Sequence, residues 1–375
     1  MIMNEINLIQ NKNRGEFVDT SDFSNAATEK IRKFHASLPN YHKTPLIELN
    51  NLKNVKAVCV KDESHRFGLK AFKALGGVWA VYHILSRKLG LINPTVQEIR
   101  DNIREKLTFV TTTDGNHGKG VAWAANLFGC NSIVFMPKNT VAARVQAIEN
   151  IGNAKVEVTD MNYDDCVKFS AQLAGDNNFF LVQDTAWAGY EEIPAQIMLG
   201  YSTLAYEAIN QMNIAPTHIF LQAGVGSMAA AVAAVFAENF KPCPRITIVE
   251  PTEVACFYET MRVGDGNIYS ATGNGQTMMA GLNCATPCTL AWKILRYFAA
   301  DSATISDNVA AQAMKILAEH KITSGESGCA GFALANAALN SPELRRALEL
   351  DKDSIIFVIN TEGDTDPDNY KKILQ

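Results

Sequence analysis

Residues 107–138 read LTFVTTTDGNHGKGVAWAANLFGCNSIVFMPK, and this stretch decides the fold. An apolar run rich in β-branched residues leads into a polar loop with glycine, an alanine-rich segment of helical length and a second apolar run. The pattern predicts a strand, a loop, a helix and a second strand, which is the repeating unit of a parallel α/β sheet. The loop carries a carboxylate, Asp114, at the carboxyl end of the first strand, where such sheets bind ligands.

The same alternation of strand and helix continues along most of the chain. Several of the strands are continuous apolar runs, which is typical of parallel strands that are buried on both faces. We therefore predict an α/β protein with a mostly parallel sheet covered by helices, and the length favours two lobes over one. Helices are predicted around Asn25–Ser37 and over residues 71–90. The predicted strands are Lys56–Lys61, Leu107–Thr111, Ser132–Met136, Lys155–Val158, Phe179–Val182, His218–Gln222, Arg245–Val249 and Ile355–Ile359.

Composition excludes several classes of function. The chain has 375 residues, of which 19% are charged, and its net charge is -5, so nothing indicates a surface that binds nucleic acid. The longest strongly apolar stretch, at residues 228–237, is much shorter than the ~20 residues that span a bilayer. The first residues lack the basic and apolar regions of a secretion signal. We therefore expect no membrane partner and a cytoplasmic location.

Eight cysteines are scattered through the chain without paired CxxC spacing. In a chain of this size we expect most of them to be buried thiols, with no metal site. Two alternatives stay open at this point: Cys284 and Cys288 sharing a helical face, and Cys256 lying beside Cys284 in space.

A glycine loop, Gly224-Val225-Gly226-Ser227-Met228, joins a predicted strand to an alanine-rich helix. Backbone N–H groups and the helix dipole favour an anion at such a helix start, and glycine lets the backbone approach it. The loop therefore predicts a phosphate site. It lacks the full GxGxxG pattern and the following acidic residue of dinucleotide-binding proteins, which disfavours NAD. The alternative is a tight turn that only packs closely.

Lys73 lies in LKAFKALGG at residues 69–77, early in a predicted helix and among apolar neighbours. A lysine partly withdrawn from water is a better nucleophile toward an aldehyde, because its pKa falls. Lys70, three residues earlier, is predicted to project from nearly the same face and is the rival candidate. Two solvated helix lysines are the alternative for the pair.

Polar residues gather where two predicted strands end. Asp114, Asn116 and His117 follow one strand, and Asp184 in LVQDTAW follows another. Because ligands of α/β sheets bind at these ends, two carboxylates there fit a substrate with two amino groups. Each residue alone would also fit a turn or a helix cap. Asp364 and Asp366 in NTEGDTD are interpreted as a solvated turn.

At this point the sequence resembles a known family, the fold type II pyridoxal phosphate (PLP) enzymes of the tryptophan synthase β group. The resemblance runs from TPLIEL at 44–49 to NTEGDTD at 360–366 and includes KDESHRFGL, TTTDGNHG, QDTAW, QAGVGSMA, MAGLNC and SGESG. Serine and threonine dehydratases of this group typically have a small residue before the Gly-Asn pair, where this sequence has Asp114. That difference makes the sequence similar to the diaminopropionate ammonia-lyases of the group.

The resemblance implies roles for individual residues. Lys73 would hold PLP as a Schiff base, Asn116 would contact the cofactor's 3′-oxygen, and Gly224 to Met228 would cradle its phosphate. Thr361 would be the neutral partner of the pyridine nitrogen. The fold implied is two lobes, each with a mostly parallel sheet flanked by helices and with the active site between them. We expect a larger PLP-anchoring domain at 1–75 and 195–375, and a smaller one at 76–194.

The implied reaction is a PLP-dependent elimination that converts 2,3-diaminopropionate to pyruvate and two ammonia. Asp114 and Asp184 would jointly remove the Cα proton and bind the β-ammonium, since an unprotonated amine leaves poorly. The sequence does not divide these roles or decide between D and L substrates. The rival hypotheses are a serine or threonine dehydratase and a non-catalytic PLP-binding protein. A homodimer is expected from the family and from the frequency of two-fold assemblies.

Overall fold

The structure, a computed structural model, describes residues 5–50 and 52–375. Two compact units divide the chain: unit 1 comprises the residues up to Phe72 together with Ser202–Gln375, and unit 2 is Lys73–Tyr201. The division therefore assigns Lys73 to the smaller unit, whereas the sequence-based boundary assigned it to the larger domain. The physical reason is that a helix begins at Lys73 and packs along another helix of unit 2.

Eleven strands lie within the described residues. They are β1 (Ile6–Gln10), β2 (Leu46–Asn50), β3 (Ala57–Asp62), β4 (Thr108–Thr112), β5 (Asn131–Met136), β6 (Ala154–Val158), β7 (Phe180–Leu181), β8 (His218–Gln222), β9 (Arg245–Pro251), β10 (Ala299–Ile305) and β11 (Ile355–Asn360).

Helices alternate with most of these strands. They are α1 (Asn25–Ala36), α2 (Lys73–Leu89), α3 (Val96–Asn102), α4 (Asn116–Leu127), α5 (Ala142–Glu149), α6 (Tyr163–Asp176), α7 (Glu192–Gln211), α8 (Ser227–Asn239), α9 (Cys256–Val263), α10 (Thr289–Phe298), α11 (Asp307–Glu319), α12 (Ala330–Asn340), α13 (Pro342–Ala347) and α14 (Pro367–Leu374). Short 3₁₀ turns occur at Ser21–Phe23, Glu63–Gly68, Thr252–Val254 and Ala280–Leu282.

The sheet of unit 1 has seven strands in the order β1-β10-β9-β8-β11-β3-β2. The inner pairings are parallel, and the two edge strands, β1 and β2, are antiparallel to their neighbours. Strands β8 and β11 are apolar runs buried along their whole length, as parallel strands covered on both faces should be. The prediction of a mostly parallel sheet is confirmed.

Three strands of this sheet were missed by the sequence analysis, namely β1, β2 and β10. Strand β10 reads AADSATI, with no apolar run, yet every residue in it is buried. Its Asp301 accepts hydrogen bonds from Arg245 at 2.8 Å on the neighbouring strand and from Thr247, so the polar groups are satisfied inside the sheet. Polar residues matched by partners on another strand leave no apolar pattern to detect.

A buried ionic network lies beneath the KDESHR segment of unit 1. The Arg66 guanidinium donates to Glu63 at 2.8 Å and to Glu207 at 2.8 Å, and all three side chains are fully buried. Lys61 donates to the same Glu207 at 2.9 Å. Burial alone would raise the pKa of Glu207, but its two cationic partners lower it to about 2. The motif's charged residues thus fix the backbone that leads toward Lys73.

Unit 2 has a four-stranded, wholly parallel sheet in the order β6-β5-β4-β7. Strand β4 is central, and β7, which follows it only after two further strands, lies directly beside it. The carboxyl ends of β4 and β7 therefore meet at one edge of the sheet. Within the described ranges, no helix of either unit combines the length and the apolar character that a membrane crossing requires.

Candidate active site

Glycines bring the start of α2 against the start of α4. A Cβ atom added to Gly120 of α4 would lie 3.0 Å from the Cα of Ala74, and one added to Gly77 would lie 3.1 Å from the backbone of Gly120. Only residues without side chains allow two helices to approach this closely. The contact places Lys73, the first residue of α2, beside the loop that follows β4.

Lys73 and Asp184 form the centre of the site. The Lys73 Nζ atom lies 2.5 Å from Asp184 Oδ2. His117 Nδ1 lies 3.9 Å from the same carboxylate oxygen, while its Nε2 donates to the carbonyl of Val182 at 2.8 Å. That bond fixes the proton of the neutral imidazole on Nε2 and turns Nδ1 toward the carboxylate. A lysine, a histidine and a carboxylate therefore converge at the carboxyl end of β7.

The two candidate carboxylates have opposite pKa shifts. Burial raises the pKa of Asp114 to about 7; the charge of Asp184 adds to that rise, and Arg144 and Lys73 oppose it. Burial also acts to raise the pKa of Asp184, but the Lys73 ammonium prevails and lowers it to about 2. One acid is thus held ionised while the other titrates near neutral pH, which is the arrangement expected of an acid–base pair.

Asp184 is held in place by the residue before it. The side-chain oxygen of Gln183 accepts from the backbone N–H of Thr112 at 3.0 Å, and its amide donates to the Tyr163 hydroxyl at 3.0 Å. The backbone N–H of Gln183 donates to the Tyr190 hydroxyl at 2.8 Å. The bond with Thr112 ties the residues that follow β7 to the end of β4. The sequence analysis did not identify Gln183 or Tyr190, because neither stands in a recognisable spacing.

Asp114 belongs to a turn that α5 covers. The backbone N–H of Gly115 donates to the Thr113 hydroxyl at 2.9 Å. The Arg144 guanidinium lies over this turn and donates to the carbonyl of Asp114 at 3.4 Å. Asn116 is the first residue of α4 and directly follows the same turn. Arg144 is a third residue that the sequence analysis missed, after Gln183 and Tyr190.

Lys70 forms an ion pair of its own. The prediction that it shares a helical face with Lys73 is wrong, because α2 begins only at Lys73 and Lys70 has a left-handed backbone with φ of 61°. Its Nζ atom lies 2.7 Å from Asp364 Oδ1 near the surface of unit 1. Asp366 accepts the backbone N–H of Asn369 at 3.2 Å and begins α14. Asp364 therefore pairs with Lys70, and Asp366 caps α14, both within a partly exposed turn.

The glycine loop of unit 1 joins β8 to α8. Gly226, the residue before α8, has φ of 92°, and a Cβ atom there would overlap the Phe257 ring. The carbonyl of Val225 accepts from the backbone N–H of Cys288 at 2.9 Å, which ties the loop to the residue before α10. A helix start presents amides that lack partners within the helix, so the loop has the donors and the bare backbone that a phosphate needs.

Thr361 follows β11 and is buried. Its hydroxyl oxygen accepts from the Gln222 side-chain amide at 3.3 Å, so its proton remains available to an acceptor such as a pyridine nitrogen.

Among the described residues, none of the eight cysteines is in a disulfide, and six are buried. Cys284 and Cys288 do not share a helical face, because α10 begins after both, at Thr289.

The fold and these sites define the class of protein. A model of the family described as "Pyridoxal-phosphate dependent enzyme" matches residues 38–362, so the chain belongs to the pyridoxal-phosphate dependent enzymes. Both the expected fold type and the expected cofactor are confirmed by that membership.

The chain is also similar to individual enzymes of known name. The chain is 44% identical to the diaminopropionate ammonia-lyase of Escherichia coli strain K12 over 94% of this chain and 92% of that one. A crystal structure of the Escherichia coli enzyme with an aminoacrylate-PLP azomethine intermediate has a TM-score of 0.90, with 42% identity and coverage of 99% of this chain and 97% of that one. The processed threonine deaminase isoform 2 of Solanum lycopersicum, at 18% identity and a TM-score of 0.74 over 98% and 96%, shares the fold.

Proposed function

We propose that the chain converts 2,3-diaminopropionate and one water to pyruvate and two ammonia, by elimination of the β-nitrogen. The observation that carries the proposal is the pair of carboxylates with opposite pKa shifts at the ends of β4 and β7, one of them 2.5 Å from Lys73. A hydroxyl-bearing substrate such as serine gives no reason for two acids, whereas a substrate with two amino groups does. The 44% identical Escherichia coli relative is named for this reaction.

Bound PLP supplies an electron sink for the negative charge that develops at the substrate Cα. Lys73 would be the amine that holds the cofactor aldehyde, and it would also carry a proton to or from the substrate Cα. The Gly224 to Met228 loop would bind the phosphate through its backbone N–H groups. By the family resemblance, Asn116 would hold the ring at its 3′-oxygen and Thr361 would be the neutral partner of its nitrogen.

Asp114 and Asp184 share the proton chemistry. Asp184, ionised and anchored through Gln183, accepts a proton from Cα or holds the β-ammonium. Asp114 titrates near neutral pH, so it can both take up and release a proton during turnover. The two acids follow different strands, and they can act on opposite faces of the bound substrate. This division would let one site use both Cα configurations.

A coupled pyruvate assay with 2,3-diaminopropionate, serine and threonine tests the proposal, with and without added PLP. We expect diaminopropionate to yield pyruvate at the highest rate, with two ammonia released for each pyruvate. A faster rate with serine or threonine would assign the chain to the dehydratases. Absence of pyruvate from all three would favour a non-catalytic PLP-binding protein.

Gly226→Val should weaken PLP binding more than it harms folding. A Cβ atom at this position overlaps the Phe257 ring, and valine strongly disfavours the positive φ that the loop requires. The dissociation constant of PLP, followed by cofactor absorbance, should rise at least about tenfold. Unchanged affinity in a well-folded variant would remove the loop from the phosphate site.

A homodimer is the proposed assembly, resting on the family resemblance and on the frequency of two-fold symmetric oligomers. Light scattering of the purified holoenzyme should give twice the mass of one chain. A fully active protein that stays monomeric at every concentration would contradict it.

A further inference from the structure

Glu250, the penultimate residue of β9, is a fully buried carboxylate with no place in the proposed chemistry. Its two oxygens accept the backbone N–H groups of Phe257 at 2.8 Å and Tyr258 at 2.7 Å, in the first turn of α9. Burial raises the pKa of Glu250 to about 7, and the two amide donors oppose that rise. Burying this carboxylate costs free energy of desolvation, but its two hydrogen bonds fix the start of α9 against the sheet.

Helix α9, in turn, touches the glycine loop at two points. The Phe257 ring fills the space where Gly226 has no side chain. The Cys256 thiol donates to the carbonyl of Gly224 at 3.7 Å, within the range for sulfur. One contact comes from Phe257, whose amide Glu250 binds, and the other from Cys256, the residue before it. A shift of the start of α9 would therefore move the loop as well.

From this chain of contacts we infer that Glu250 is a positioning residue for cofactor binding: by holding the start of α9, it sets the geometry of the Gly224 to Met228 phosphate loop. The inference rests on the proposed role of that loop. Glu250 acts through α9 and does not touch the cofactor itself. Its loss should consequently weaken PLP binding even where the protein stays folded.

Glu250→Gln tests this inference in the full-length holoenzyme. Glutamine keeps the shape but turns one N–H acceptor into a donor, so one of the two amides in α9 loses its partner. We expect the dissociation constant of PLP to rise about tenfold, the usual scale for a hydrogen bond to a charged group. The ³¹P resonance of bound PLP should also shift, because the phosphate's donors move.

Asp301→Asn is the matched control, because Asp301 is a buried carboxylate of the neighbouring strand that binds Arg245 and Thr247. It should lower the melting temperature and leave the PLP affinity and the ³¹P resonance unchanged. Phe257→Leu is the replacement test variant if Glu250→Gln does not fold. It keeps the Glu250 bonds but loosens the ring contact with Gly226, so the PLP dissociation constant should rise several-fold.

Two results would overturn the inference. If Gly226→Val loses PLP while Glu250→Gln and Phe257→Leu bind it as the wild type does, Glu250 has no positioning role and the phosphate loop stands. If Gly226→Val also binds PLP normally, the phosphate site lies elsewhere and the inference falls together with that part of the proposed function.

Discussion

Lys73→Ala is expected to lose at least about a thousandfold in turnover, because it removes both the amine that reaches PLP and a carrier of the Cα proton. The variant should still bind PLP through the phosphate loop, but without a covalent link. Lys70→Ala is the matched control, since its ammonium pairs with Asp364 near the surface. That variant should keep activity close to the wild type.

Borohydride reduction identifies the linked lysine directly. After reduction of the holoenzyme and peptide mapping, the pyridoxyl group should be found on Lys73. A pyridoxyl group on Lys70 would contradict the assignment and the geometry built on the contact between Lys73 and Asp184.

Asp114→Asn and Asp184→Asn should each lose on the order of a hundredfold or more in turnover of 2,3-diaminopropionate, the usual scale for positioned acid–base groups. Asparagine keeps the shape and most hydrogen bonds of aspartate. The loss of turnover therefore measures the contribution of the carboxylate's charge and of the proton that it exchanges. PLP binding should survive in both variants. Steady-state kinetics with each Cα configuration provides the measurement.

The stereochemical outcome separates two versions of this mechanism. If each variant loses activity toward one configuration only, Asp114 and Asp184 are bases on opposite faces of the substrate. If Asp114→Asn keeps wild-type activity toward both configurations, Asp114 is a turn residue and the dehydratase hypothesis regains support.

Much of the parallel sheet could be predicted because burial on both faces leaves a continuous apolar run, as in β8 and β11. The edge strands β1 and β2 were missed because each is buried on only part of its surface, and β1 also pairs with a strand distant in sequence. Strand β10 was missed because its buried Asp301 is paired with Arg245 of the neighbouring strand, and this pairing is not visible in the sequence.

The candidate site, too, could be predicted only in part from the sequence. Asp114 and Asp184 were predictable as residues that follow strands, but their meeting depends on β7 pairing beside β4, which sequence order does not reveal. Gly77 and Gly120 bring Lys73 to that edge through a helix contact that no local pattern encodes. The family resemblance supplied Lys73, whereas the supporting residues, Gln183 among them, emerged only from the structure.

The specificity constants for 2,3-diaminopropionate and serine, measured with the same PLP-loaded protein, show whether the site is built for a substrate with two amino groups. We predict that kcat/KM is clearly higher for diaminopropionate, and that Asp114→Asn reduces this value much more than the value for serine, because the second carboxylate serves the second amino group. Equal or higher kcat/KM for serine, with no change in the ratio on removing Asp114, would contradict the account.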